Sequence, residues 1–227
     1  MHCYRLILIA LAAALFAASA FAHDLSADNA EYVKQLAGAA PGPFLYLGAK
    51  HMFTGYDHLL FLVGVVFFLY RGRDVLLYVT LFTIGHSLTL LLGVWMQWQI
   101  NSYLIDAIIG LSVAYKAFEN IGGFKQVIQY TPNTQVAVFV FGLCHGLGLA
   151  SRLQGYVGGE SGLITNLISF NIGVELGQLA ALGIILLLIV RWRQHTSFER
   201  HAFAANVILM FAGVLLAGNQ LAGYLLL

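Results

Sequence analysis

Charge is scarce in this sequence. Its 227 residues include 11 Lys and Arg and 10 Asp and Glu, 9% of the chain, against roughly a quarter in an ordinary soluble domain. With 60% hydrophobic residues, a soluble globule of this composition would precipitate. The formal net charge is +1, and the Lys and Arg residues are dispersed among loops, so the clustered basic surface that nucleic acid requires is missing. Cysteine is scarcer still, with 2 residues. Cys3 lies in a leader-like stretch and Cys144 inside an apolar run, which excludes an intramolecular disulfide in the mature chain. Gly122-Gly123 and Gly158-Gly159 lack the Gly-x4-Gly-Lys pattern of a phosphate cradle, so no ATP site is expected.

What is present is apolar sequence. The runs 59–70, 75–94 and 180–190 are hydrophobic on every helical face, which one core cannot bury but a bilayer solvates. The fold class is therefore all-α, a polytopic transmembrane helix bundle. Residues 1–22 read as a cleavable signal peptide: Arg5, an apolar stretch 6–16 and Ala20-Phe21-Ala22. The alternative is an uncleaved anchor. Residues 23–50 are too few for a domain with its own core. They hold a possible short helix at 26–38, a stop at Pro41-Gly42-Pro43 and an interfacial stretch at 44–47. Residues 51–227 form the membrane domain.

Six spans are expected near 52–70, 75–97, 102–119, 133–151, 162–190 and 203–225. The fifth is long for one straight crossing and contains Asn166, Asn171, Glu175 and Gln178, so it is either tilted or locally broken. Placing loops 71–74, 116–132 and 191–202 in the cytoplasm gives them Arg71, Arg73, Lys116, Lys125, Arg191, Arg193 and Arg200. The outer segments keep only Lys34, Lys50 and Arg152. The positive-inside rule then puts the mature amino terminus outside, as in a bacterial inner membrane with a periplasmic amino terminus. Trp95 and Trp98 fall where an aromatic belt belongs.

Asp57, His58, His86, His145 and Glu175 lie within apolar spans, where an ionisable residue costs several kcal/mol unless paired or hydrated and is functional by default. Counting about 1.5 Å per residue puts His58 and His145 about 10 Å below the outer face, and His86 and Glu175 about 13 to 21 Å down. The set reads as a column open to the outer side. Asn171, Glu175 and Gln178 share one helix face at i, i+4, i+7. Gly142-x3-Gly146 and Gly173-x3-Gly177 are close-packing elements, with Gly85-x3-Thr89 a weaker third; a histidine within one is also compatible with simple packing, hydrogen-bonded to a neighbouring hydroxyl. His51 and His58 are about 20° apart in helical phase but about 10 Å apart along the axis. Either the chain turns near Gly55 and folds His51 back over the site, or the two are successive stations. Asp57 is placed to hold another helix or to orient an imidazole.

The His51-x5-Asp57-His58 pattern after a signal peptide resembles the HupE/UreJ family of membrane proteins. So do Phe82-Thr83-Ile84-Gly85-His86-Ser87-Leu88-Thr89-Leu90, Phe141-Gly142-Leu143-Cys144-His145-Gly146 and the stretch from Phe170-Asn171 to Gly177-Gln178. Only His145-Gly146 stands where the better-characterised branch has a His-rich motif, so the chain looks closer to a second branch. The resemblance implies a nickel or cobalt permease linked to hydrogenase or urease, with His51, Asp57 and His58 as first candidates for metal handling. The metal ligands expected are thus His51, Asp57, His58, His86, His145 and Glu175, supported by Asn171 and Gln178. Imidazole with carboxylate suits divalent transition metals, and the ion is cargo, with no permanently bound cofactor. Expected partners are the lipid bilayer, the divalent ion and a membrane or metalloenzyme-maturation protein.

Two other functions remain open on the sequence. One is an intramembrane metal-dependent hydrolase, although no His-x3-His pair exists and Ser87 points about 100° away from His86 on a helix. The other is an accessory or metal-sensing subunit. The expectation is a transporter and not an enzyme.

Overall fold

The structure is a computed structural model that describes residues 38–154 and 162–226. The expected signal peptide, His23 and nearly all of the short helix at 26–38 lie outside the described residues. Among those residues every regular element is helical: α1 (Pro41–Thr54), α2 (Tyr56–Val66), α3 (Gly72–Trp95), α4 (Ser102–Asn120), α5 (Gly123–Ile128), α6 (Thr134–Leu153), α7 (Leu163–Arg193) and α8 (Phe198–Leu226).

Four of these, α3, α6, α7 and α8, are long and apolar enough to cross a membrane. Their outer faces carry exposed Leu76, Ile84, Leu88, Ile172, Leu187, Phe203 and Leu215, a surface that water would drive to aggregate and acyl chains solvate. The starts of α4 and α6 fall where the sequence puts them, because Asn101 and Asn133 cap them. Each accepts the amide two residues on, at 3.0 Å from Tyr103 and 2.9 Å from Gln135.

Elsewhere the structure differs from the sequence reading. Pro41-Gly42-Pro43 begins a helix, α1, since proline is tolerated in the first turn where no amide partner exists. Residues 44–47 belong to α1, with Phe44 and Leu47 buried and Leu45 and Tyr46 exposed, and the boundary at residue 50 falls inside α1. The expected first span is two helices separated at Gly55. α4 carries Asp106, Lys116 and Glu119, so by composition it is not one of the four long apolar helices. Residues 163–193 form one unbroken helix. At 1.5 Å per residue it is about 46 Å long, more than the hydrocarbon thickness of about 30 Å, so tilt or protrusion absorbs the excess.

The broken pair nevertheless runs the length of α7. At one end Asn166 accepts the Ala40 amide at 2.7 Å and donates to the Gly38 carbonyl at 3.0 Å. At the other Arg193 donates to the carbonyls of Val66 and Leu69, each at 2.8 Å. Those two anchors are about 40 Å apart along α7, so α1 and α2 together extend along nearly the whole of that helix.

Three helix pairs build the bundle: α1 with α7, α3 with α6, and α4 with α8. All three rest on small residues. A Cβ on Gly48 or Gly173 would strike the facing backbone at the α1–α7 contact, as would one on Gly142 or Gly146 at α3–α6. At α4–α8 a Cβ on Gly110 would lie 2.6 Å from the Ala217 nitrogen. Close approach of this kind is how helices associate where lipid removes the hydrophobic drive. Two apolar cores result, one around Met52, Leu62, Leu90 and Phe170, the other around Phe61, Phe82, Val113 and Val138. Ile185 of α7 packs against both.

Candidate metal centre

The interruption at Gly55 builds the site. Gly55 N–H still donates to the His51 carbonyl at 2.8 Å, and its own carbonyl accepts from Leu59 at 3.1 Å. Its φ of −76° and ψ of 91° leave the helical region, so α2 starts afresh in a new direction. The His58 amide, now in a first helical turn, is taken by Asp57 Oδ1 at 2.9 Å, where a carboxylate also suits the positive end of the helix dipole. Glycine is needed at the bend: a Cβ there would sit 2.9 Å from His58 Nδ1 and 3.2 Å from Asp57 Oδ1.

Consequently His51 does fold back over His58. Their ring centroids are 5.0 Å apart, against about 10 Å on a straight helix. His58 is also 4.7 Å from His145 and 5.9 Å from His86. Imidazoles from α1, α2, α3 and α6 thus converge on one level, which replaces the expected column with a single cluster. His58, His86 and His145 are 3%, 1% and 0% exposed, and His51 is half-buried, so the centre is enclosed and not open to one face. Phe82 stacks on His86 at 6.0 Å and packs edge-on to His145 at 5.0 Å, while Phe61 lies 5.3 Å from His145 and Phe170 6.2 Å from His51. These rings wall the cluster off from water.

Donor atoms are ready there. Asp57 Oδ1 accepts His58 Nδ1–H at 2.9 Å; that assignment fixes the tautomer and turns the lone pair of Nε2 inward. His58 Nε2, His145 Nδ1 and both nitrogens of His86 are buried without a hydrogen-bond partner, a state that costs about 1–3 kcal/mol for each group left so. One ligand atom each from Asp57, His58 and His145 lies within 4.8 Å of the others. Metal–nitrogen bonds of about 2.0–2.1 Å need only a modest contraction from there. Nitrogen donors with one carboxylate match borderline dications such as nickel, cobalt and zinc.

Glu175 is not in the cluster. It is exposed on α7 beside Ile172, Leu176 and Leu179, because its two face-mates turn to α3: Asn171 donates to Ser87 Oγ at 2.8 Å and Gln178 accepts from Thr83 at 3.0 Å. Asn171 and Gln178 therefore tie α7 to the helix that carries His86 and do not flank a ligand. The Ser87 hydroxyl is engaged with Asn171 and is no nucleophile for His86. Gly142 and Gly146 bring His145 against α3, and Thr89 Oγ1 donates across the contact to the Leu143 carbonyl at 2.7 Å.

Ser112 on α4, missed in the sequence, lies 3.3 Å from His145 Nε2. A lone serine in an apolar span carries no signal of its own. Two charges counted for topology also change role: Lys116 is buried in α4 and Arg193 caps the end of α2 from within α7.

Asp57→Asn keeps the volume but removes the charge that polarises His58. Loss of such a supporting carboxylate is expected to weaken metal affinity by about 10–100-fold. Titration of cobalt(II) into the purified protein measures it, and wild-type affinity would remove Asp57 from the site.

Fold and centre together define an all-helical, multi-pass membrane protein with histidines gathered between its helices. The protein-family model described as HupE / UreJ protein matches residues 27–227, and the chain belongs to that family. No curated protein and no solved structure gave a match.

Proposed function

We propose that the chain is a permease for a divalent transition-metal ion, nickel or cobalt first, of the bacterial inner membrane. The observation that carries this reading is the convergence of four imidazoles with unsatisfied ring nitrogens on His58, His86 and His145 inside the bundle. Membership of the HupE/UreJ family, which suggests a nickel- or cobalt-transport-related role, supports it. In this reading α1 with α2, and α4, cross the bilayer beside the four apolar helices, giving six crossings after a cleaved signal peptide and a periplasmic amino terminus. His51 collects the ion, and His58, His86 and His145 bind it with Asp57 holding His58. Binding must stay moderate, since a site that never releases its ion does not conduct. A ring nitrogen's lone pair takes a proton or a metal ion, not both, so protons compete with the cargo and a proton gradient is a sufficient energy source. Glu175 leaves the path.

A second reading has one observation in its favour. The exposed Glu175 on an apolar α7 face suits an accessory subunit whose partner supplies a matching polar group. Uptake of nickel, cobalt, zinc, copper and manganese, each offered separately to liposomes holding the purified protein, tests the first reading. Saturable uptake of one or two ions is expected. Background leakage for all five in folded protein would overturn the self-sufficient permease, and a stoichiometric co-purifying membrane partner would then carry the second.

A further inference from the structure

The seam between α4 and α6 holds charge that the histidine centre does not use. Lys116 Nζ is 2.8 Å from a Glu119 carboxylate oxygen, with the two side chains only 10% and 11% exposed. The other oxygen accepts from Thr134 Oγ1 on α6, the helix that carries His145. A buried ion pair is a poor stabiliser, because desolvation cancels much of the attraction and well-packed apolar residues serve as well. Its place in the bundle calls for another account.

Ser112, Lys116 and Glu119 follow i, i+4, i+7 and share one face of α4. That face starts at the histidine centre, where Ser112 touches His145, and reaches Glu119 about 10 Å further along. It runs toward the Arg193 end of the bundle, since Asn120 donates to the Gly64 carbonyl at 2.8 Å and Arg193 holds the carbonyl of Val66. In the opposite direction along the seam, Arg152 of α6 pairs with the buried Asp106 of α4. The centre therefore lies between two ion pairs.

We propose that Glu119, with Thr134, is a second cation station on the cytoplasmic side of the histidine centre, and that the Lys116 ammonium occupies it whenever no metal ion is there. The carboxylate is neutralised by one cation at a time, so arrival of the metal ion displaces Lys116 and its departure lets Lys116 return. The donors change from nitrogen to oxygen, which hold nickel or cobalt more weakly, and the ion passes from a tighter to a looser seat on its way out. Lys116 in its resting place puts a like charge below the centre and stops ions from leaking through. The inference rests on the permease reading and adds to it the exit.

The experiment uses the full chain, with cobalt(II) binding measured in detergent and initial uptake at saturating cobalt measured in liposomes. Glu119→Gln and the neutral double variant Lys116→Met with Glu119→Gln are expected to bind cobalt within about threefold of wild type but to take it up at least about tenfold more slowly. Glu119→Asp should recover part of the rate. Wild-type uptake by the double variant would overturn the station. So would loss of cobalt binding in a double variant of intact helical content, since the pair would then merely brace the centre. If wild type itself neither binds nor transports cobalt or nickel, the permease reading falls first and the station with it.

Discussion

Replacing His58 by alanine is expected to abolish saturable metal uptake, with membrane abundance and helical content unchanged. The other three imidazoles are all neighbours of His58, at 4.7, 5.0 and 5.9 Å between ring centres. In the permease reading its removal takes away a ligand, and with it goes the contact that joins α1 to α3 and α6. Loss of a group that only supports a ligand costs about 10–100-fold in affinity, so loss of the central ligand is expected to cost at least about 100-fold. His58→Gln, closer in volume, should fail in the same way, which separates lost coordination from a packing void. Uptake by His58→Ala at the wild-type rate would take His58 out of the path and leave the centre without its hub.

Gly146→Val is expected to lower both stability and uptake. A Cβ at Gly146 would run into the His86 carbonyl and Thr89 Oγ1, where α3 and α6 are in direct contact. Backbone cannot yield there as a side chain does. Overpacking a tight contact costs about 1–3 kcal/mol, and a β-branched residue facing backbone belongs at the upper end. The displacement also carries His86 away from His145. Gly183→Val is the matched control, because a Cβ at Gly183 meets nothing within 4 Å. Thermal unfolding of the two variants in detergent compares them; equal midpoints would refute the close α3–α6 contact.

Much of the centre was legible because membranes make polar residues conspicuous. His58, His86 and His145 stand out in apolar runs, and the small residues around two of them mark the helix contacts that gather them. What the sequence left open was direction. Helical phase made His51 and His58 neighbours in angle but not in height, and only the backbone at Gly55 decides between a fold-back and two stations. Glu175 misled for the related reason that spacing fixes a face without saying what lies opposite. Asn171 and Gln178 use that face to grip α3, and the carboxylate between them faces outward. Lys116 misled through composition: a lysine near a span boundary reads as a loop charge, whereas Glu119 one turn away lets α4 keep it buried.

The bend at Gly55 also has a mechanical side. α1 is seated on α7 through Gly48, Gly173 and Gly177, while α2 also packs against α4, with Gly64 against Lys116, and is held to α7 at its end by Arg193. His51 and His58 are thus the two tips of a pair of tongs whose arms are mounted on different helices and whose pivot is one residue. In the permease reading, rocking of α7 against α4 would turn that pivot and change the gap between the tips, coupling grip on an ion to tilt of the bundle.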